Sequence, residues 1–193
     1  MKSCYIIAEA GVNHNGSEDL AFSLVDVAVS AGADAVKFQT FNADKLVTRK
    51  ARKAAYQQKQ TGTGDQYTML KSLELSDETY RHLFDYCEEK GIEFLSTPFD
   101  MDSAKTLNAL GCKQIKIPSG EITHHQFLRA IAAMGKPMIL STGMSTLEEV
   151  SDAVEVIRSE NERVGYSDPL SKRLTLLHCT SNYPAPLSDV NLR

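Results

Sequence analysis

Two lysines stand inside short apolar runs, Lys37 in Val36-Lys37-Phe38 and Lys116 in Ile115-Lys116-Ile117. Side chains alternate along a strand, so each lysine lies on the face opposite its apolar neighbours. If both faces are covered, each ammonium needs an anion, because an unpaired buried charge is costly. The anion is either an internal carboxylate, such as Glu9 or Glu121, or a ligand. Hydroxyls and glycines follow the same kind of run at Ser96-Thr97, Ser119-Gly120 and Ser141-Thr142-Gly143. Two point charges surrounded by hydroxyl and backbone N–H donors suit a phosphate or a carboxylate. Taken together, the two lysines and three hydroxyl clusters favour a ligand over internal pairs. A Schiff-base role for one lysine is a rival, since a neighbouring cation depresses a lysine's pKa.

Glu9 and Glu121 also fall at strand ends. Each is a candidate general base or acceptor for sugar hydroxyls. The plainer alternatives are that Glu9 holds a lysine and that Glu121 caps a helix beginning near Thr123. Tyr183 precedes Pro184 and is driven toward an extended conformation, which aims its ring at a fixed place or packs it on a rim.

The elements that position these residues repeat. Apolar runs at 5–9, 35–39, 92–96, 114–117, 138–141 and 174–178 alternate with helical segments, several of them closed by a glycine at 32, 91, 111 or 135. Ser17 opens one helix, with Leu20, Leu24 and Ala28 as its apolar stripe. Ser76 opens another, carrying Tyr80, Leu83, Phe84 and Cys87. Ser145 to Glu148 reads as a capping box before Leu147, Val150, Val154 and Ile157. This β-α succession requires a parallel sheet, either doubly wound or a (β/α)8 TIM barrel. The first strand-to-helix loop is GVNHNG and not GxGxxG, which weighs against a dinucleotide fold. Polar residues at the C-terminal end of every strand favour the barrel. Six strands are predicted where a barrel needs eight, so residues 1–193 are expected to form the N-terminal portion of a barrel domain. The segment 41–75 is too long for a plain connection and reads as a lid or subsite wall.

Composition narrows the classes. The 193 residues, 42% hydrophobic and 24% charged, suit a soluble protein with one sizeable core. A net charge of −4 argues against a nucleic-acid-binding surface, and the basic patch at 49–53 reads as a solvated face. Cys4, Cys87, Cys112 and Cys179 read as reduced core or near-site thiols of a cytoplasmic protein. The histidines lack metal-site spacing such as HExxH, and His124-His125 reads as a polar helix start. No apolar run is long enough for a membrane span, and no signal-peptide pattern is present.

Six motifs, in order, carry a family resemblance: EAGVNHNG at 9–16, VKFQT at 36–40, FLSTPFD at 94–100, KIPSGE at 116–121, LSTGM at 140–144 and LHCTSNYPAP at 177–186. Together they resemble the sialic acid synthases, the phosphoenolpyruvate-dependent synthases of nonulosonic acids. The resemblance implies a TIM-barrel enzyme that condenses phosphoenolpyruvate with an N-acetylated hexose such as N-acetylmannosamine, releasing phosphate. It implies a divalent metal, Mn²⁺ or Mg²⁺, whose histidine ligands lie beyond residue 193. It also implies a homodimer and a C-terminal domain resembling type III antifreeze protein, absent from these residues. Carried over by motif, Lys37, Gln39, Thr97, Lys116, Ser119 and Ser141 look like the phosphoenolpyruvate cradle, with the two lysines catalytic. Glu9, Glu121 and Tyr183 look like sugar-side or catalytic groups.

Several readings compete on the sequence. One changes the sugar, to give legionaminic, pseudaminic or another nonulosonic acid in a bacterial surface-glycan pathway. A 3-deoxy-aldulosonate synthase would need a second basic phosphate site. A pyruvate Schiff-base aldolase and a ligand-binding remnant without turnover complete the set.

Overall fold

The computed structural model describes residues 4–49, 51, 64–180 and 185–191. The chain divides into two compact units, Met1–Leu110 and Gly111–Arg193, each built on a three-stranded parallel sheet.

In the first unit the strands are β1 (Ile7–Gly11), β2 (Ala35–Thr40) and β3 (Glu93–Pro98), paired in that order. Helix α1 (Glu18–Ser30) joins β1 to β2. The longer β2–β3 connection carries α2 (Ala43–Leu46), α3 (Gln66–Lys71) and α4 (Asp77–Lys90), and α5 (Met101–Leu110) follows β3. Ser17 and Ser76 cap α1 and α4 as their positions predict, accepting from Leu20 N and Thr79 N. One face of the sheet is mainly apolar. Phe38 of β2 stacks on Phe94 of β3 at 5.8 Å, and Phe84 of α4 meets Phe94 edge-on at 6.0 Å. Tyr80, Leu83 and Cys87 are buried along α4, as its period requires. The stripe of α1 differs from the expected one. Ala21, Val25 and Ala28 are buried, whereas Leu20 is 48% exposed. Small residues win there because they let the helix lie close to its neighbours.

In the second unit the strands are β4 (Ile115–Ile117), β5 (Met138–Ser141) and β6 (Leu174–Leu177). Helix α6 (His125–Ala133) joins β4 to β5, and α7 (Leu147–Arg163) with the short α8 (Leu170–Arg173) joins β5 to β6. Phe127, Leu128 and Ile131 of α6 and Ala153, Val156 and Ile157 of α7 are buried. The capping box of α7 sits one residue later than its sequence reading: Thr146 is the cap, with Glu149 as its reciprocal partner. That shift leaves Leu147 at the first helical position, outside the apolar stripe and 89% exposed.

Within each sheet the strands are parallel, and each connection between successive strands contains a helix. No helix is long and apolar enough to cross a membrane.

Candidate functional site

Parallel pairing sets the residues of the first unit on one face. Glu9 pairs with Lys37 and Gln39 with Thr97, so all four side chains leave the same side of the sheet. Lys37 is 9% exposed. Its Nζ lies 2.5 Å from Glu9 Oε2 and donates to Thr97 Oγ1 at 3.4 Å. The internal carboxylate considered for Lys37 is therefore present, and it is Glu9. The other oxygen, Glu9 Oε1, is buried and has no hydrogen-bond partner. Gly11 (φ +54) makes room for this group: a Cβ there would meet Glu9 Oε1 at 3.1 Å and Gln39 Nε2 at 3.8 Å. Ser96 belongs elsewhere. It faces the opposite side of β3, where its hydroxyl bonds that of Thr40 at 2.7 Å, so of the Ser96-Thr97 pair only Thr97 attends Lys37.

The described parts of 41–75 fold onto themselves. Tyr67 donates to Asp44 at 2.8 Å, Lys71 pairs with Glu74 at 2.5 Å, and the amide of Ala43 donates to Glu74. Phe41, Asn42 and Glu74 line a cleft of about 280 Å³ together with Asp100, Ser103 and Thr106.

The second unit builds its group around Ser141. Lys116, 6% exposed, donates from Nζ to Ser141 Oγ at 2.5 Å and to its neighbour's carbonyl, Ile117 O, at 2.8 Å. Ser119 Oγ accepts from Gly143 N at 2.9 Å. A Cβ at Gly143 would lie 3.0 Å from Ser119 Oγ and 3.5 Å from Cys179 Cβ, so glycine is what permits the close approach. Thr142 is spent inside the fold, donating to Leu177 O at 2.8 Å. Glu121 pairs with His124, its Oε2 lying 2.7 Å from Nδ1. It does not cap α6, whose cap position is His124 with no side-chain cap bond.

Two side chains carry more than their sequence positions announced. Cys179 Sγ lies 3.3 Å from Ser141 Oγ, which makes it a near-site thiol. Cys87 and Cys112 are core thiols, while Cys4 is exposed and is neither. The signal for Cys179 was available only through register: Ser141 pairs with Leu177, the last residue of β6, and Cys179 follows two residues later. His14 is fully buried, its Nδ1 accepts from Gly16 N at 3.1 Å, and its Nε2 has no partner. Burial holds its pKa below the ordinary histidine value. Tyr183 lies outside the described residues. Among the described residues no three His, Cys, Asp or Glu side chains group as metal ligands, so the implied divalent ion finds no ligand set among them.

Comparison with known proteins gives three concordant results. The family model described as "NeuB family" matches residues 24–193. An N,N'-diacetyllegionaminic acid synthase of Legionella pneumophila is 50% identical over 99% of this chain and 52% of its own length. One of Campylobacter jejuni is 46% identical over 100% of this chain and 56% of its own. The chain thus spans about half the length of the curated relatives it matches. Among solved structures, an N-acetylneuraminic acid synthetase of Leptospira borgpetersenii, in complex with citrate, superposes with a TM-score of 0.79 at 30% identity. That match covers 99% of this chain and 59% of the other. The likeness and the two parallel three-stranded sheets with their helical connections agree with the (β/α)8 barrel class expected from the strand pattern.

Proposed function

The chain belongs to the NeuB family, whose matched members include legionaminic and sialic acid synthases, and from that premise we propose that it is the N-terminal portion of a barrel-domain synthase. The proposed reaction condenses phosphoenolpyruvate with an N-acetylated hexose to give a nonulosonic acid and phosphate. C3 of phosphoenolpyruvate bonds to the aldehyde carbon of the open-chain sugar, water adds at C2, and phosphate leaves.

The observation that carries the reading is the buried Lys116 at the end of a parallel strand, hydrogen-bonded to Ser141 and close in sequence to Ser119. A point charge bonded to a hydroxyl offers a phosphoryl or carboxylate oxygen charge and a donor together. The reading assigns Lys37, Gln39 and Thr97 of the first unit, and Lys116, Ser119 and Ser141 of the second, to phosphoenolpyruvate. Glu9, Glu121 and Tyr183 are assigned to the sugar. Glu9 holds Lys37 through Oε2 and keeps Oε1 for a sugar hydroxyl, which supports a role beyond the ion pair. The proposal retains a divalent ion, Mn²⁺ or Mg²⁺, with ligands outside the described residues, and gives it no step in which these side chains take part. It also retains a homodimer working in the cytoplasm.

A specific observation favours one sugar class. The relatives at 50% and 46% identity are both named for N,N'-diacetyllegionaminic acid, whereas the neuraminic acid synthetase stands at 30%. A diacetamido hexose is therefore the first sugar to offer, and N-acetylmannosamine the second. The test measures phosphate release from phosphoenolpyruvate with each sugar. Release that depends on a sugar is expected. Binding of phosphoenolpyruvate without release would point to a remnant, and a pyruvate adduct trapped by borohydride would point to an aldolase.

A further inference from the structure

Ser141 Oγ has two protein neighbours, Lys116 Nζ at 2.5 Å and Cys179 Sγ at 3.3 Å. A serine hydroxyl has one proton and two lone pairs, whereas an ammonium has donors only. Lys116 therefore occupies one lone pair. Thiol sulfur is a weak acceptor, so Cys179 meets the hydroxyl oxygen better by offering its S–H to the second lone pair than by taking the serine's proton. With both lone pairs engaged, the remaining direction at the oxygen is the O–H bond, turned away from both neighbours.

Ser119 is arranged by the same logic. Its oxygen accepts from Gly143 N at 2.9 Å, which leaves its hydroxyl proton to give elsewhere. Gly143 links the two arrangements, since the space a Cβ would take is bounded by Ser119 Oγ and Cys179 Cβ. Register supports the grouping. Lys116 pairs with Ile139, Ser141 lies two residues beyond Ile139 and pairs with Leu177, and Cys179 lies two beyond Leu177.

We propose that Cys179 is a positioning residue: its thiol fixes the Ser141 hydroxyl as an outward-pointing donor to an anionic oxygen of phosphoenolpyruvate held by Lys116. The identity of the ligand rests on the synthase reading above. The thiol itself touches no reacting atom. It acts by removing the alternative in which Ser141 donates inward and presents a lone pair to the anion, where acceptor would face acceptor.

The test is a binding cycle on the full-length protein, titrating phosphoenolpyruvate by calorimetry. The variants are Cys179→Ala, Cys179→Ser, Ser141→Ala and the pair Cys179→Ala/Ser141→Ala, each with a thermal melt. Cys179→Ala is expected to weaken binding about five-fold, the scale of one hydrogen bond. Cys179→Ser, which keeps a donor, recovers most of that loss. The double variant binds no worse than Ser141→Ala, because both changes act through one hydroxyl. If Cys179→Ala does not fold, Cys179→Val fills the volume without a donor and shows the same loss. Unchanged binding in the Ala or Val variant, or losses that multiply in the pair, overturns the positioning role and leaves the synthase reading standing. No binding by the unaltered protein overturns the synthase reading, and this role with it.

Discussion

Lys37 and Lys116 begin from the same local pattern, a lysine between two apolar residues near the end of a parallel strand, and their surroundings differ. In the first unit Glu9 lies directly across from Lys37 and forms an ion pair with it. In the second unit the register places Ile139 beside Lys116, and the ammonium reaches the hydroxyl of Ser141 and the carbonyl of Ile117. A carboxylate lies against the first ammonium, whereas a serine hydroxyl and a main-chain carbonyl accept from the second. The same local pattern thus meets different partners, and the neighbouring strands decide which.

The contrast can be broken by experiment. The largest effect is expected from Lys116→Met, which should weaken phosphoenolpyruvate about a hundredfold, the scale of one strong charge-assisted hydrogen bond. Its unfolding free energy should fall far less, and a loss of several kcal/mol with binding intact would make Lys116 a structural residue. Next, Glu9→Ala leaves Lys37 without its carboxylate and should cost about 2 kcal/mol in urea denaturation, below the range for a fully buried pair because Glu9 remains partly exposed. The pair Glu9→Ala/Lys37→Met should regain part of that loss. If Glu9→Ala is as stable as the unaltered protein, the difference between the two lysines is not electrostatic.

Smaller effects separate local stability from the site. Thr146→Ala removes the cap of α7 and should cost about 1 kcal/mol, with phosphoenolpyruvate affinity unchanged. The smallest is a pH effect in the first unit. His14 is buried with Nδ1 as an acceptor, so the folded state favours the neutral ring. Its folded pKa lies below the unfolded value of 6.5, so the unfolded state takes up the proton first. Its contribution is complete above 6.5 and is lost as pH falls through that value toward the lower folded pKa. Denaturation midpoints at pH 7.5 and 5.5 check this, and His14→Gln should show the shallower dependence.

Much of the fold was legible because its signals are short-range. Apolar runs, serine caps and helix-ending glycines act within a few residues, and the structure places strands and helices accordingly. The misses are small rotations and shifts. Leu20 and Leu147 were read into apolar stripes and are exposed, because helical period names a face only after the first helical residue is known. The site was legible as residue types at strand ends, since alternation tells which side a residue takes. It was not legible as partners. That Thr97 rather than Ser96 attends Lys37, that Glu121 meets His124, and that Cys179 reaches Ser141 each follow from register or loop geometry.

The sequence by itself determined the succession of parallel β-α units, the two inward lysines with their hydroxyls, and the family these motifs resemble. Tertiary structure alone decided which group answers each charge. Strand pairing brings together residues far apart in the chain, such as Glu9 with Lys37 and Ser141 with Cys179. At these contacts desolvation makes one ångström or one residue of register matter, and no local pattern encodes that distance.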